Sequence, residues 1–270
     1  MSGGARVPDD QRIDGDESSV KSVAGAQTLE RGLDLLECAA RDPMTLQDLI
    51  RRTGMNRGVV YRLVSALTAR GYLVHDGDGQ LRGGRTLLQL GLSTAGYTDM
   101  VTVAGPHLDA LALETGLSAF LARREGNFSL HLLRSAGVER IAVTTQPGTR
   151  RLLPETGLGR ALLCDESPAT WLRLLQLVDD RYHHADWEVQ NKQHRDTGVL
   201  FQFGSPPDFI NSVCAVVRNA TGVVIGAVNV AAAAQYLGEA RMIEVQPFVA
   251  ETARAISFAM GADSALLSTA

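Results

Sequence analysis

The sequence holds little of what would mark several kinds of protein. Of 270 residues only three are cysteine, Cys38, Cys164 and Cys214, far apart and without a Cys-x-x-Cys pair. That spacing excludes a disulfide framework and a cysteine zinc site, and reads as small core residues in a reducing compartment. No run of about 18 apolar residues occurs to span a bilayer. The polar opening MSGGARVPDDQRIDGDESSV lacks the apolar segment of a signal peptide. A soluble cytoplasmic protein with no membrane partner is expected. Positive charge is not in excess either: Lys+Arg 26 against Asp+Glu 30 gives a formal net charge of -4. Binding to nucleic acid would therefore rest on local clustering, because the overall field repels phosphate. There is no internal repeat and no extended low-complexity tract.

What is present is a 45% hydrophobic chain, enough at about 150 residues per domain for two cores. Residues 1–26 are polar and aperiodic, and read as a disordered tail, as do 264–270. Helical periodicity begins at Thr28, with Leu29, Leu33, Leu35 and Leu36 as an apolar face that runs to Ala40 before Arg41-Asp42-Pro43. Thr45-Leu46-Gln47-Asp48 fits a capping box opening a second helix that stops at Gly54. Asn56 caps a third helix, in which Val60, Leu63, Val64 and Leu67 share a face up to Gly71. Tyr72 to His75 and Gln80 to Arg82, joined by Asp76-Gly77-Asp78-Gly79, form a hairpin.

Three helices and a hairpin give the order of a winged helix-turn-helix, placed at 27–84. Residues 85–98, helical from Thr86 to Ser93, make a linker helix. The remainder, 99–263, is a third region. Met100 to Glu114 is helical. Short β-rich runs follow at Ser118 to Ala122, Phe128 to Leu133, Arg140 to Thr144, Ser212 to Val217 and Val223 to Val230. Helices near Gly159 to Leu163 and Pro168 to Val178 interrupt them, and a closing helix runs from Met242 to Met260. The fold class is α+β.

Charge placement on the helix pair points to DNA. Between Leu49 and His75 the charged residues are Arg51, Arg52, Arg57, Arg62 and Arg70, with no Asp or Glu. A recognition helix sends its N-terminal half into the major groove, where arginine donates two hydrogen bonds to guanine and small residues admit close approach. Asn56, Arg57 and Gly58 occupy that end; Tyr61, Arg62 and Ser65 follow one turn on for base edges or phosphates. Arg52 suits the backbone, and in the hairpin Arg82 suits a neighbouring groove or the backbone. The alternative meaning of such a run is a solvated helix face. The order of helices, turn, reader helix and wing favours operator DNA.

The stretches Gln27-Thr28-Leu29-Glu30-Arg31-Gly32-Leu33, Thr45 to Leu49, Arg52-Thr53-Gly54-Met55-Asn56-Arg57, Val60-Tyr61-Arg62-Leu63 and Gly71-Tyr72-Leu73 resemble, collinearly, the N-terminal half of IclR-type transcriptional regulators. The resemblance continues through Leu87 to Gly91, Gly157 to Leu163 and Val217 to Ala231. It implies a GAF-like effector-binding domain, homodimers often paired into homotetramers, and repression or activation of a nearby operon. By position it implies effector contacts at Gly157, Leu158, Gln202, Ser212, Asn229 and Ala231. Arg57-Gly58 departs from the Lys-Ser of many members, and the stretch from Phe203 to Pro207 departs from the family's usual pattern.

From the residues themselves, Thr156-Gly157-Leu158-Gly159 reads as a helix start whose amide groups favour a carboxylate, or as glycines that only cap and pack. Phe201, Phe203 and Phe209 fit an aromatic acid or an apolar core equally. The competing class is an enzyme acting on a small molecule, with His183-His184 and Asp186 as a metal or acid-base group and Cys164 as nucleophile. Adjacent histidines do not share a helix face, and Cys164 follows an apolar Leu162-Leu163, so both read as structural. No enzyme, cofactor or metal is expected.

Overall fold

The computed structural model describes residues 26–97, 99–138, 143–182, 187–204 and 209–263; the expected tails, apart from Ala26, lie outside them. The chain divides into two compact units between Thr94 and Ala95.

The first unit holds α1 (Gln27–Arg41), α2 (Leu46–Thr53), α3 (Arg57–Ala69), β1 (Leu73–His75) and β2 (Leu81–Gly83), and α4 (Arg85–Tyr97) runs across the division. Local chemistry sets the boundaries. The Thr45 hydroxyl accepts from the Asp48 N–H while the Asp48 carboxylate reaches back to the Thr45 backbone, closing the capping box at α2. Gly54 ends that helix at φ 65°, in the left-handed region that glycine enters without steric cost. Asn56 Oδ1 accepts from the Gly58 N–H at 2.9 Å and starts α3. Leu35, Leu49, Val60, Leu73 and Leu81 meet in one core.

The buried stripe of α1 is Leu35, Leu36 and Ala39. Leu29 and Leu33, expected on the same face, are exposed. The wing is tied to the chain ahead of α2, because Met44 and Leu81 exchange backbone hydrogen bonds at 3.1 and 2.8 Å. A Cβ at Gly84 would come within 2.3 Å of the Gly71 carbonyl oxygen. Only glycine lets the chain leave the wing there.

The second unit is a six-stranded antiparallel sheet in the order β5-β4-β3-β8-β7-β6. Its elements are α5 (Met100–Thr115), β3 (Ser118–Glu125), β4 (Phe128–Ser135), β5 (Arg150–Leu152), α6 (Gly157–Ala161), α7 (Pro168–Leu175), α8 (Trp187–Thr197), β6 (Leu200–Gln202), β7 (Ile210–Arg218), β8 (Val224–Ala233) and α9 (Glu239–Ala259).

Period-two alternation assigns each strand residue to a face. Ala119, Leu121, Val213, Ala215, Val217, Val228 and Val230 pack with α5 and α9. Phe120, Ala122, Cys214, Val216, Ala227 and Ala231 face α6 and α7. Three elements differ from the sequence pattern. Of the run expected at 140–144, 140–142 lie outside the described residues, and Val143 and Thr144 are irregular. The edge strand Arg150–Leu152 was not expected. The short strand β6 and the polar helix α8 had no counterpart in the periodicity.

Candidate DNA interface and effector cavity

Burying Val60 and Val64 turns the opposite face of α3 to solvent, where Arg57, Gly58, Tyr61, Arg62 and Ser65 are all exposed. Asn56 is committed to its cap. The Arg57 guanidinium donates to the Tyr61 hydroxyl one turn on, which together with the nearby phenol raises its pKa. Arg82 is exposed on β2, opposite Val74. The cationic stretch is less uniform in space than in sequence. Arg51 pairs with Asp48 at 2.6 Å and Arg52 with Asp42 at 3.2 Å, both acids lying just ahead of the stretch. Among the described residues no acid pairs with Arg57, Arg62 or Arg82, so the unneutralised charge lies on the reader helix and the wing.

In the second unit, a cavity of about 390 Å³ opens between the sheet and the chain around α6. Gly157, Leu158, Gln202, Ser212, Asn229 and Ala231 all line it. Strand register explains how residues so far apart in sequence converge: Gln202 is paired with Ser212, and Ser212 with Ala231, across β6-β7-β8. The chain packs closely at Gly157, where a Cβ would lie 2.4 Å from Ser212 Oγ and 2.6 Å from Cys214 Sγ and would displace those side chains.

Two of the amides at the helix start are already bonded. The Gly157 N–H is donated to Gln202 Oε1 and the Gly159 N–H to Thr156 Oγ1. The three phenylalanines are elsewhere too: Phe201 packs with the α5 and α9 layer, and Phe203 and Phe209 are exposed. The aromatic residues of the lining are Phe120 and Tyr182, and its charged residues are Arg151 and Glu155, joined at 3.0 Å.

His131 also lines the cavity, its ring edge-on to Phe120 at 6.0 Å between centroids. Burial, reinforced by the Arg151 charge, pushes its pKa down to about 4, so the imidazole is neutral. His131 and Phe120 were open to sequence reasoning, since both lie in runs read as strands; Arg151 was not, because its strand is three residues long.

His183, His184 and Asp186 lie outside the described residues. Burial pushes the Cys164 thiol up to about 12, leaving it protonated and a poor nucleophile. Among the described residues no group of His, Cys, Asp or Glu has the arrangement of a metal site.

A winged helix-turn-helix with a solvent-facing cationic reader helix, followed by an α+β domain that encloses a cavity, defines a DNA-binding regulator controlled by a small molecule. The chain belongs to the IclR family of transcriptional regulators: the IclR helix-turn-helix domain matches residues 28–77, and the bacterial transcriptional regulator IclR C-terminal domain matches residues 93–258. It is 27% identical over 249 residues to the HTH-type transcriptional regulator BhcR of Paracoccus denitrificans, covering 87% of this chain and 88% of the relative. Its fold is like that of a putative IclR transcriptional regulator from a Silicibacter species, with TM-score 0.75 at 21% identity, covering 87% of this chain and 96% of the other. It also resembles an IclR homologue from Microbacterium hydrocarbonoxydans complexed with 4-hydroxybenzoate, with TM-score 0.52 at 21% identity over 86% and 98% of the two chains. Among the described residues no helix is long and apolar enough to cross a membrane.

Proposed function

We propose that this regulator reads its operator with Arg57 and Gly58 at the start of α3, aided by Tyr61, Arg62 and Ser65, and grips phosphates with Arg52 and Arg82. A small organic acid, aromatic in its simplest form, occupies the cavity and alters operator affinity without being turned over. The observation that carries the effector reading is the convergence of Gly157, Leu158, Gln202, Ser212, Asn229 and Ala231 on one cavity of about 390 Å³, within the size range of small-molecule sites. The 4-hydroxybenzoate bound by the Microbacterium homologue supports an aromatic acid, as do Phe120 and Tyr182 in the lining.

The protein acts in the cytoplasm as a homodimer or homotetramer. Two-fold operators need two reader helices about one DNA turn apart, and Leu29 on α1 and Leu88 on α4 are each 65% exposed, apolar surface of the kind that a partner covers. The test is a footprint on DNA flanking the gene, repeated with candidate acids. Release of the DNA with the acid recovered unchanged supports a regulator; turnover of the acid overturns that reading in favour of an enzyme.

A further inference from the structure

The hydrogen-bonding capacity of the cavity is used unevenly. Where α6 meets β6 and β7 the polar groups satisfy one another: Gln202 Oε1 accepts from the Gly157 N–H and from Ser212 Oγ. On the half of the floor built by β8, β3 and β4, where the Asn229 side chain also meets Cys214, three polar atoms are left over. Asn229 Oδ1 and both ring nitrogens of His131 are buried without a hydrogen-bond partner, in residues only 5% and 6% exposed. Phe120 stands between them, paired in register with Asn229 and edge-on to the His131 ring. Leaving buried polar atoms unpaired costs stability, and a fold that keeps three of them in one cavity holds them for another molecule.

The chemistry of that molecule follows from the atoms. Asn229 Oδ1 only accepts, so its partner must donate, which a carboxylate cannot do. A neutral imidazole has one donor and one acceptor nitrogen, so it suits a group able to do both. A hydroxyl meets both demands. The Arg151 Nε is held by Glu155, and its terminal nitrogens have no acceptor among the described residues, leaving them for a carboxylate.

Resting on the reading of this cavity as the effector site, we propose that His131 and Asn229, on either side of Phe120, form its specificity-determining pair, and that the effector is a hydroxylated carboxylic acid whose hydroxyl they receive while Arg151 holds the carboxylate. Gln202 and Ser212 shape the cavity and do not select the ligand.

Calorimetric titration of the full chain with three matched pairs of acids tests this: benzoate and 4-hydroxybenzoate, phenylacetate and mandelate, propionate and lactate. The hydroxylated member of at least one pair is expected to bind about tenfold or more tightly than its partner, as a site with unpaired polar groups demands. The preference should collapse in both His131→Phe and Asn229→Leu, while Ala231→Leu, which fills the cavity, abolishes binding of either acid. Unliganded His131→Phe should melt at or above the wild-type temperature, because it removes a buried group without a partner, and a structural histidine would show the reverse. Asn229→Leu reads the same preference independently should one variant fold poorly. A preference that survives both substitutions, or wild-type protein that discriminates within no pair, overturns the proposal with the cavity intact. Binding unaffected by Ala231→Leu overturns the cavity reading beneath it.

Discussion

The Arg57 guanidinium donates to the Tyr61 hydroxyl at 3.3 Å and lies 5.4 Å from the centroid of the same ring. The first cation of the reader helix is thus stacked along the solvent face, one turn from where it starts, and must leave that contact to reach a base. An exposed cation–aromatic contact contributes about 0.5–1 kcal/mol, less than a bidentate base contact offers. Tyr61→Phe keeps the stacking and loses the hydrogen bond. Operator affinity by fluorescence anisotropy should change by less than about 1 kcal/mol; a larger loss would make the hydroxyl itself a DNA contact.

The Arg52–Asp42 pair is exposed and holds the α2 cation in a local bond, so it contributes little to stability while competing with phosphate. Asp42→Asn should tighten binding to operator and random DNA alike. Arg82→Ala should weaken both and reduce the salt slope by roughly one unit, as loss of one phosphate contact does. A change confined to the operator would make either arginine a base reader.

Gly58 is not required by the folded chain. A Cβ there would meet only Asn56 Oδ1, at 3.4 Å, and alanine favours a helix interior over glycine by up to about 1 kcal/mol. Gly58→Ala should therefore melt no lower than wild type and bind the operator more weakly, since the methyl stands between backbone and groove. Unchanged operator affinity would show that the glycine admits no close approach.

Two buried histidines tie stability to pH. Burial holds both His131 and His194 down at about 4; Arg151 adds to the effect at His131, Arg218 and Arg195 add to it at His194, and Asp165 opposes them there. Their folded pKa values lie below the ordinary 6.5, so beneath pH 6.5 the unfolded chain takes up protons that the fold refuses. Stability is full above that pH, falls as pH drops towards 4 and levels off below. Each shift is worth up to about 3 kcal/mol. Urea unfolding at pH 7 and pH 4.5 should show the fall, and His131→Phe should remove about half of it; an undiminished fall would place the titration elsewhere.

The parts of the fold governed by neighbours in sequence were legible. Thr45 and Asp48, Asn56 and Gly54 act through bonds or backbone angles within a few residues, and the sequence displays them directly. The strands that needed the rest of the sheet to exist were not: Arg150–Leu152 is too short for alternation to register, and it forms because Leu130 and Phe128 pair with it. The polar helix α8 buries Asn191 and His194 rather than an apolar stripe, so its periodicity is silent. At the candidate site, resemblance located six lining residues, but which polar atoms are already bonded depends on register and packing. For that reason the bonded amides of Gly157 and Gly159 looked free, while His131, visible on the inner face of a recognised strand, passed unnoticed.

Whether this chain reads a specific operator through the start of α3 is decided by anisotropy titration of wild type and Arg57→Ala on the footprinted DNA and on random DNA at several salt concentrations. Wild type is expected to prefer the footprinted site by about a thousandfold or more. Arg57→Ala should lose about 1 to 3 kcal/mol on that site, relaxing one base position per half-site while binding random DNA as before. Equal loss on both DNAs, or no wild-type preference, would contradict that reading.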